Sequence, residues 1–229
     1  DNVYSFSPAE NKVYSYQWIY KDLLRSHERG SILNPNPVIP SKNDEYETIK
    51  LATHKVTNVV RIEPSTKICG IKLNPFQTIK EGDKIKTDPA AHGVRAAYYS
   101  LAFIIQRAIA AEIDVDPEEI EVAEISKSLD GLGRISLGDN QQNGSGFVSH
   151  LYENFDKYVE NILDGKSSFF QRMLDSDHKK RCKEACYECL QVYRNMHFHG
   201  LLDWRLGMAL LRLMTNPEYK AGADENFDF

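Results

Sequence analysis

Three cysteines in eight residues, Cys182, Cys186 and Cys189, constrain the backbone of this chain more tightly than any other feature. A lone free cysteine packs as a small apolar side chain. Here three of four cysteines fall in one C-x3-C-x2-C run, and His197 and His199 follow within ten residues, a set of soft thiolates and imidazoles suited to one zinc ion. Zinc–sulfur bonds of about 2.3 Å in a tetrahedron place ligand sulfurs about 3.8 Å apart. Seven residues of continuous helix would separate Cys182 from Cys189 by about 10.5 Å along the axis. One unbroken helix therefore cannot offer all three. The backbone is expected to turn between Cys182 and Cys186, with Cys186, Tyr187, Glu188 and Cys189 as a tight knuckle that opens a helix through Tyr193. His199 precedes Gly200, where the chain can bend back, and is the expected fourth ligand, with His197 its chemical equal. Four protein ligands leave no open position for an activated water, so the expected role is structural.

Composition narrows the class. At 229 residues, 41% apolar and 27% charged, the chain falls in the globular range and can bury a core without disulfides. So few cysteines, clustered, fit a metal in the reducing cytoplasm rather than a secreted scaffold. The net charge of −5 gives no general attraction to a polyanion, so any nucleic-acid contact must come from a local patch. The most apolar stretch, Ala96 to Ile113, carries Gln106, Arg107 and Glu112 and is too short and polar to span a bilayer core of about 30 Å. No membrane partner is expected. The sequence opens at Asp1 with neither an initiator Met nor a leader, which reads as an excised piece of a longer protein.

The pattern of residues predicts an α+β chain: a small, mainly antiparallel sheet, packed helices, and a helical zinc-binding C-terminal unit. Residues 1–47 read as an aromatic arm, dense in Val13, Tyr14, Tyr16 and Trp18, followed by a linker with Pro35, Pro37 and Pro40. Residues 48–165 read as the core. Strands are expected within Thr48–Glu63, Lys67–Leu73, Ile120–Ile125 and Arg134–Leu137. Val94–Ile113 repeats apolar residues at helical spacing, giving a helix with one buried face, and Phe147–Ile162 does the same. Residues 166–229 read as a helical Cys/His zinc-binding unit, with Phe169–Asp175 and Leu201–Met214 helical. Cys69 is expected in the core.

Two further features bear on function. Gly138 through Gly146 links a strand to a helix, but the phosphate-loop lysine is absent and the dinucleotide fingerprint is missing, so the glycines are read as permitting a tight turn. Asp139 there either caps the turn or is catalytic. Between His178 and Arg205 stand six basic residues against three acidic, with Tyr187, Tyr193, Phe198 and Trp204 interleaved. That combination can meet phosphates and stack bases. Lys179, Lys180, Arg181, Lys183 and Arg194 are the expected DNA-binding cations.

Asp139 through Val148 (DNQQNGSGFV), then Cys182, then CYECLQVYRN, then His199-Gly200-Leu201-Leu202-Asp203-Trp204, resemble the helicase-associated zinc-binding domain found in MrfA-type helicases and in DrmB of DISARM phage-defence systems. The resemblance covers residues 48–215, is most specific in the cysteine segment, and is closer to the defence-system branch. In the repair-helicase branch a fourth cysteine follows the C-x2-C pair. Here Asn195 stands near that place, and His199 is carried over as its substitute. The resemblance implies a non-catalytic module that helps a DrmA-type helicase hold DNA, with the ATP motor elsewhere and restriction of phage DNA as the task. Two other readings remain at this point: a metal-dependent nuclease or hydrolase using Asp139, His54 or His150, and a protein-interaction scaffold without DNA contact.

Overall fold

A computed structural model describes residues 56–64, 73–216 and 218–222 in full, and only the backbone of strands at 2–6, 15–16, 47–48 and 52–55. The strands in chain order are β1 (Asn2–Phe6), β2 (Ser15–Tyr16), β3 (Glu47–Thr48), β4 (Ala52–Val56), β5 (Val59–Ile62), β6 (Thr78–Glu81), β7 (Lys84–Thr87), β8 (Ile120–Val122), β9 (Ser126–Lys127) and β10 (Gly133–Asp139). The helices are α1 (Pro89–Ile113), α2 (Phe147–Glu153), α3 (Phe155–Leu163), α4 (Ser168–Leu174), α5 (Ser176–Arg181) and α6 (Trp204–Thr215). Two compact units divide the chain. In the first, Tyr4–His54, β2 and β3 pair antiparallel through Ser15 and Thr48. The second comprises Asp1–Val3 and Lys55–Phe229. Most of the aromatic arm, the proline linker, Cys69 and the strand expected at 67–73 lie outside the described residues, apart from Leu73.

In the second unit β10 is central, antiparallel to β5 and β8 on its two sides, with Ile135 opposite Ile62 and Leu137 opposite both Val60 and Val122. Ile135 and Leu137 are fully buried and join Val60, Ile62 and Ile120 in one hydrophobic core with α1. Helix α1 starts where Asp88 accepts the Ala90 N–H and Pro89 occupies the first turn, and it ends at Asp114 in the left-handed region. The one-sided burial expected of it does not hold. From Ala96 to Ala110 nearly every residue is buried, because the sheet covers one side and α6 another. A helix enclosed in this way is apolar all round.

Further differences from the sequence pattern have local causes. The helix expected over Phe147–Ile162 breaks at Asn154, whose side-chain amide donates to the His150 carbonyl at 2.9 Å and competes with the helical ladder. β6 and β7 form an exposed hairpin, unanticipated from composition, that turns through Gly82 at φ +61°. Residues from 166 onward contribute to the same hydrophobic core as α1 and the sheet.

The α1–α6 contact shows how close this packing is. A Cβ on Gly207 would lie 2.8 Å from Ile104 Cδ1 and 2.9 Å from the backbone of Ser100 and Leu101. Gly93, on an exposed part of α1, has nothing within 4 Å. The same change should therefore act with opposite sign at the two positions. Gly207→Ala is expected to cost about 1–3 kcal/mol by overpacking, and Gly93→Ala to gain about 0.5–1 kcal/mol through helix propensity. Urea unfolding midpoints at constant slope measure both.

Candidate metal centre

Helix α5 is a short cationic turn capped by Asp175, which accepts the Asp177 N–H. It puts His178 and Cys182 four residues apart, on one face. The helix stops there: Cys182 is extended (φ −100°, ψ 101°), and the chain turns before the second and third cysteines. The expected knuckle is present. The Cys186 N–H points at Cys189 Sγ at 3.1 Å, and the Cys186 carbonyl accepts the N–H groups of Cys189 and Gln191. No helix opens from it through Tyr193. The turn closes at Leu190, and a 3-10 segment follows from Tyr193 to Leu201.

Four ligand atoms converge: His178 Nε2 and the sulfurs of Cys182, Cys186 and Cys189 all lie within 4.8 Å of one another. Cys189 Sγ is 3.8 Å from each of the other two sulfurs, and Cys186 Sγ is 3.5 Å from His178 Nε2. A tetrahedral zinc with bonds of about 2.3 Å to sulfur and 2.0–2.1 Å to nitrogen requires separations of about 3.8 Å and 3.6 Å. The donor set and the spacing fit such an ion, and the site can hold a metal.

The imidazole beside the sulfurs is that of His178, whereas His199 was the expectation from sequence. The reason is where each ring is held. His178 Nδ1 lies 2.8 Å from the Met173 carbonyl, so it is the N–H, and the Nε2 lone pair faces the sulfurs. His199 Nε2 donates toward two acceptors, the Val192 carbonyl at 3.0 Å and Asn195 Oδ1 at 2.9 Å, which holds its ring in the turn after the knuckle and outside the cluster of ligand atoms. Asn195 does not replace a ligand either. It is buried, takes the Val192 N–H on Oδ1, and donates Nδ2 to the Leu190 carbonyl, which fixes the chain just after the knuckle. His197 is exposed and packs on Phe198 at 4.0 Å between ring centroids. The signal that could have found His178 is its spacing: H-x3-C places a ligand pair one helical turn apart.

Burial pushes the Cys182 and Cys189 thiols above their ordinary range, so without a dication these sulfurs keep their protons. A bound metal reverses that preference and expels the protons.

Helix α6 anchors the site to the core. Arg205 donates Nη1 to the carbonyls of Cys182 (2.7 Å) and Lys183 (2.6 Å), and Nη2 to that of Lys179 (2.7 Å), satisfying the orphan end of α5. Its guanidinium lies 4.5 Å over the fully buried Trp204 ring. Trp204 Nε1 reaches the Cys182 carbonyl at 3.4 Å, and the Trp204 and His178 rings are 5.8 Å apart.

The five expected DNA-binding cations divide. Lys180 and Lys183 are exposed. Arg181 pairs with Glu188 and Arg194 with Glu118, each at 3.0 Å on the surface, where such pairs are weak enough to exchange for another anion. Lys179 is half-buried. Of the interleaved aromatics, Trp204 is core and Phe198 packs on Tyr99 and Phe103, while Tyr187 and Tyr193 stand in solvent. Asp139 caps the glycine turn. Its carboxylate is fully buried and accepts the N–H groups of Ser145, Gly146 and Val148 at 2.7–3.1 Å, leaving none of them free for an anion. His150 is engaged with the Tyr158 hydroxyl at 2.9 Å, and the side chain of His54 lies outside the described residues. Among the described residues no helix is long and apolar enough to cross a membrane.

A family model described as the MrfA Zn-binding domain matches residues 101–190, a span that includes His178 and all three clustered cysteines. No curated protein matches the chain. Among solved structures, the crystal structure of the DUF1998 helicase MrfA bound to DNA is similar with a TM-score of 0.46 at 15% identity, over 76% of this chain and 19% of that one. The stretch that carries the cluster is thus similar to a zinc-binding domain, a non-catalytic description, and zinc is the metal its one nitrogen and three sulfurs suit.

Proposed function

We propose that this chain is a non-catalytic zinc module that supports DNA binding and association with a DrmA-type helicase in the restriction of phage DNA, as DrmB does. The observation that carries the reading is the His178, Cys182, Cys186 and Cys189 cluster, with tetrahedral spacing and every ligand position filled from the chain. A closed site of this kind holds a fold and offers no position for an activated water. The ATP motor belongs to a partner or to another part of a longer chain. The sequence resemblance in the cysteine segment and the family match over 101–190 support the same reading. The nuclease alternative loses Asp139, which is spent on three backbone amides.

DNA affinity measured against salt tests this. Each phosphate contact in a duplex contributes about 0.9 to the slope of log affinity on log salt. Lys180→Gln with Lys183→Gln is expected to lower that slope by about 2 and to weaken all DNA sequences alike. Absence of DNA binding at low salt overturns the proposal and leaves a protein-interaction scaffold.

A further inference from the structure

Tyrosines usually bury the ring and keep only the hydroxyl wet. Tyr98, Tyr99 and Tyr158 go further, each 2% exposed or less with its hydroxyl bonded inside the protein, whereas Tyr152 on α2 is 76% exposed. Tyr187 and Tyr193, six residues apart in sequence, leave 69% and 82% of their surface in water, and Met196 leaves 53%. Their backbone is not loose. Tyr187 lies inside the cysteine knuckle, and Tyr193 follows Val192, whose N–H and carbonyl are held by Asn195 and His199. The same His199 ring meets Tyr187 edge-on at 5.6 Å, so one imidazole ties the two tyrosine-bearing turns together. Two rings are thus displayed largely in water, on turns already fixed. Turns fixed in this way lose little backbone entropy when they bind.

Charge says what they display toward. From His178 to Arg205 there are six basic residues against three acidic, in a chain of net charge −5. Lys180 and Lys183, exposed just ahead of the knuckle in sequence, favour a polyanion, and flat exposed rings favour a polyanion with free aromatic faces. In duplex DNA those faces are stacked on one another and closed to a side chain, whereas an unpaired strand offers them. Helix α5, at six residues, is also short for lying along a groove.

We infer that the knuckle face takes single-stranded nucleic acid, with bases stacking on Tyr187 and Tyr193 and the phosphates running past Lys180 and Lys183. The inference rests on the DNA-binding reading above and adds to it the form of the strand and the residues that sense it.

Fluorescence anisotropy with a labelled oligo-dT of about 12 nucleotides and a duplex of equal length, both titrated with the zinc-loaded chain, provides the test. The single strand is expected to bind at least about tenfold more tightly than the duplex. Tyr187→Ala and Tyr193→Ala should each weaken the single strand about tenfold and leave the duplex unchanged, in line with the weight of one base–ring stack. Tyr193→Phe should retain the affinity and Tyr193→Leu lose it, which separates a ring from mere bulk. Preference for duplex, or alanine variants that bind oligo-dT like the parent, overturns the inference. If the Lys180 and Lys183 changes then still weaken both DNAs, the DNA-binding reading stands without it. No binding of either DNA at low salt overturns both.

Discussion

Cys189→Ser is expected to strip zinc from the chain and to destabilise the segment between α4 and α6 by more than about 4 kcal/mol, the range that loss of a structural metal reaches. Cys189 sits at the centre of the cluster. Its sulfur is 3.8 Å from both others and accepts the Cys186 N–H, so its loss opens the tetrahedron and the knuckle together. Metal analysis by mass spectrometry should find about one zinc per parent chain, as one four-ligand site requires. His178→Ala should lose that zinc and His199→Ala should keep it. The reverse result would reject His178 as the fourth ligand. Acidity should release the metal, because binding needs thiolates that burial disfavours, so affinity falls as pH falls. The metal-free chain responds oppositely. Its raised thiol pKa values contribute stability below the ordinary thiol value of 9.0, and that contribution is lost as pH rises through the folded values. Thermal melts across pH, with and without chelator, read both signs.

Trp204→Ala should cost about 3–5 kcal/mol and also weaken zinc retention. The indole is fully buried between the core and the metal turn. Removing it leaves a cavity beside His178, takes away the Nε1 bond to the Cys182 carbonyl, and removes the surface on which Arg205 lies. Arg205 alone holds three carbonyls of the α5 end and the following turn. Chelator challenge separates the two effects. A faster zinc loss in the variant, at a temperature where it remains folded, shows that α6 positions the site. Equal rates in parent and variant would confine Trp204 to packing.

Other predictions fall on the same architecture from different sides. The Gly207 and Gly93 pair probes how closely α6 lies on α1, and the lysine and tyrosine changes probe the surface that the zinc knuckle presents. None of these four lysine and tyrosine positions is buried, so their variants report on binding with the core intact.

Much of this chain was legible before its coordinates. Periodicity placed α1 and α6, β-forming content placed β5, alternation placed β8, a short run ending at Gly138 placed β10, and the impossibility of spanning three sulfurs with one helix required the turn after Cys182. These are consequences of local geometry and covalent spacing, which a sequence contains. The fourth ligand was not legible. His178, His197 and His199 have the same chemistry, and the choice among them depends on which carbonyl meets each ring: Met173 for His178, Val192 and the Asn195 amide for His199. Asp139 likewise had two readings until the turn folded over it and presented three amides. The interleaved aromatics separated only when α6 buried Trp204, α1 took Phe198, and Tyr187 and Tyr193 were left in water. Spacing determined that these side chains could converge. Packing decided which did, because ring position, carboxylate satisfaction and burial are set by neighbours distant in the chain.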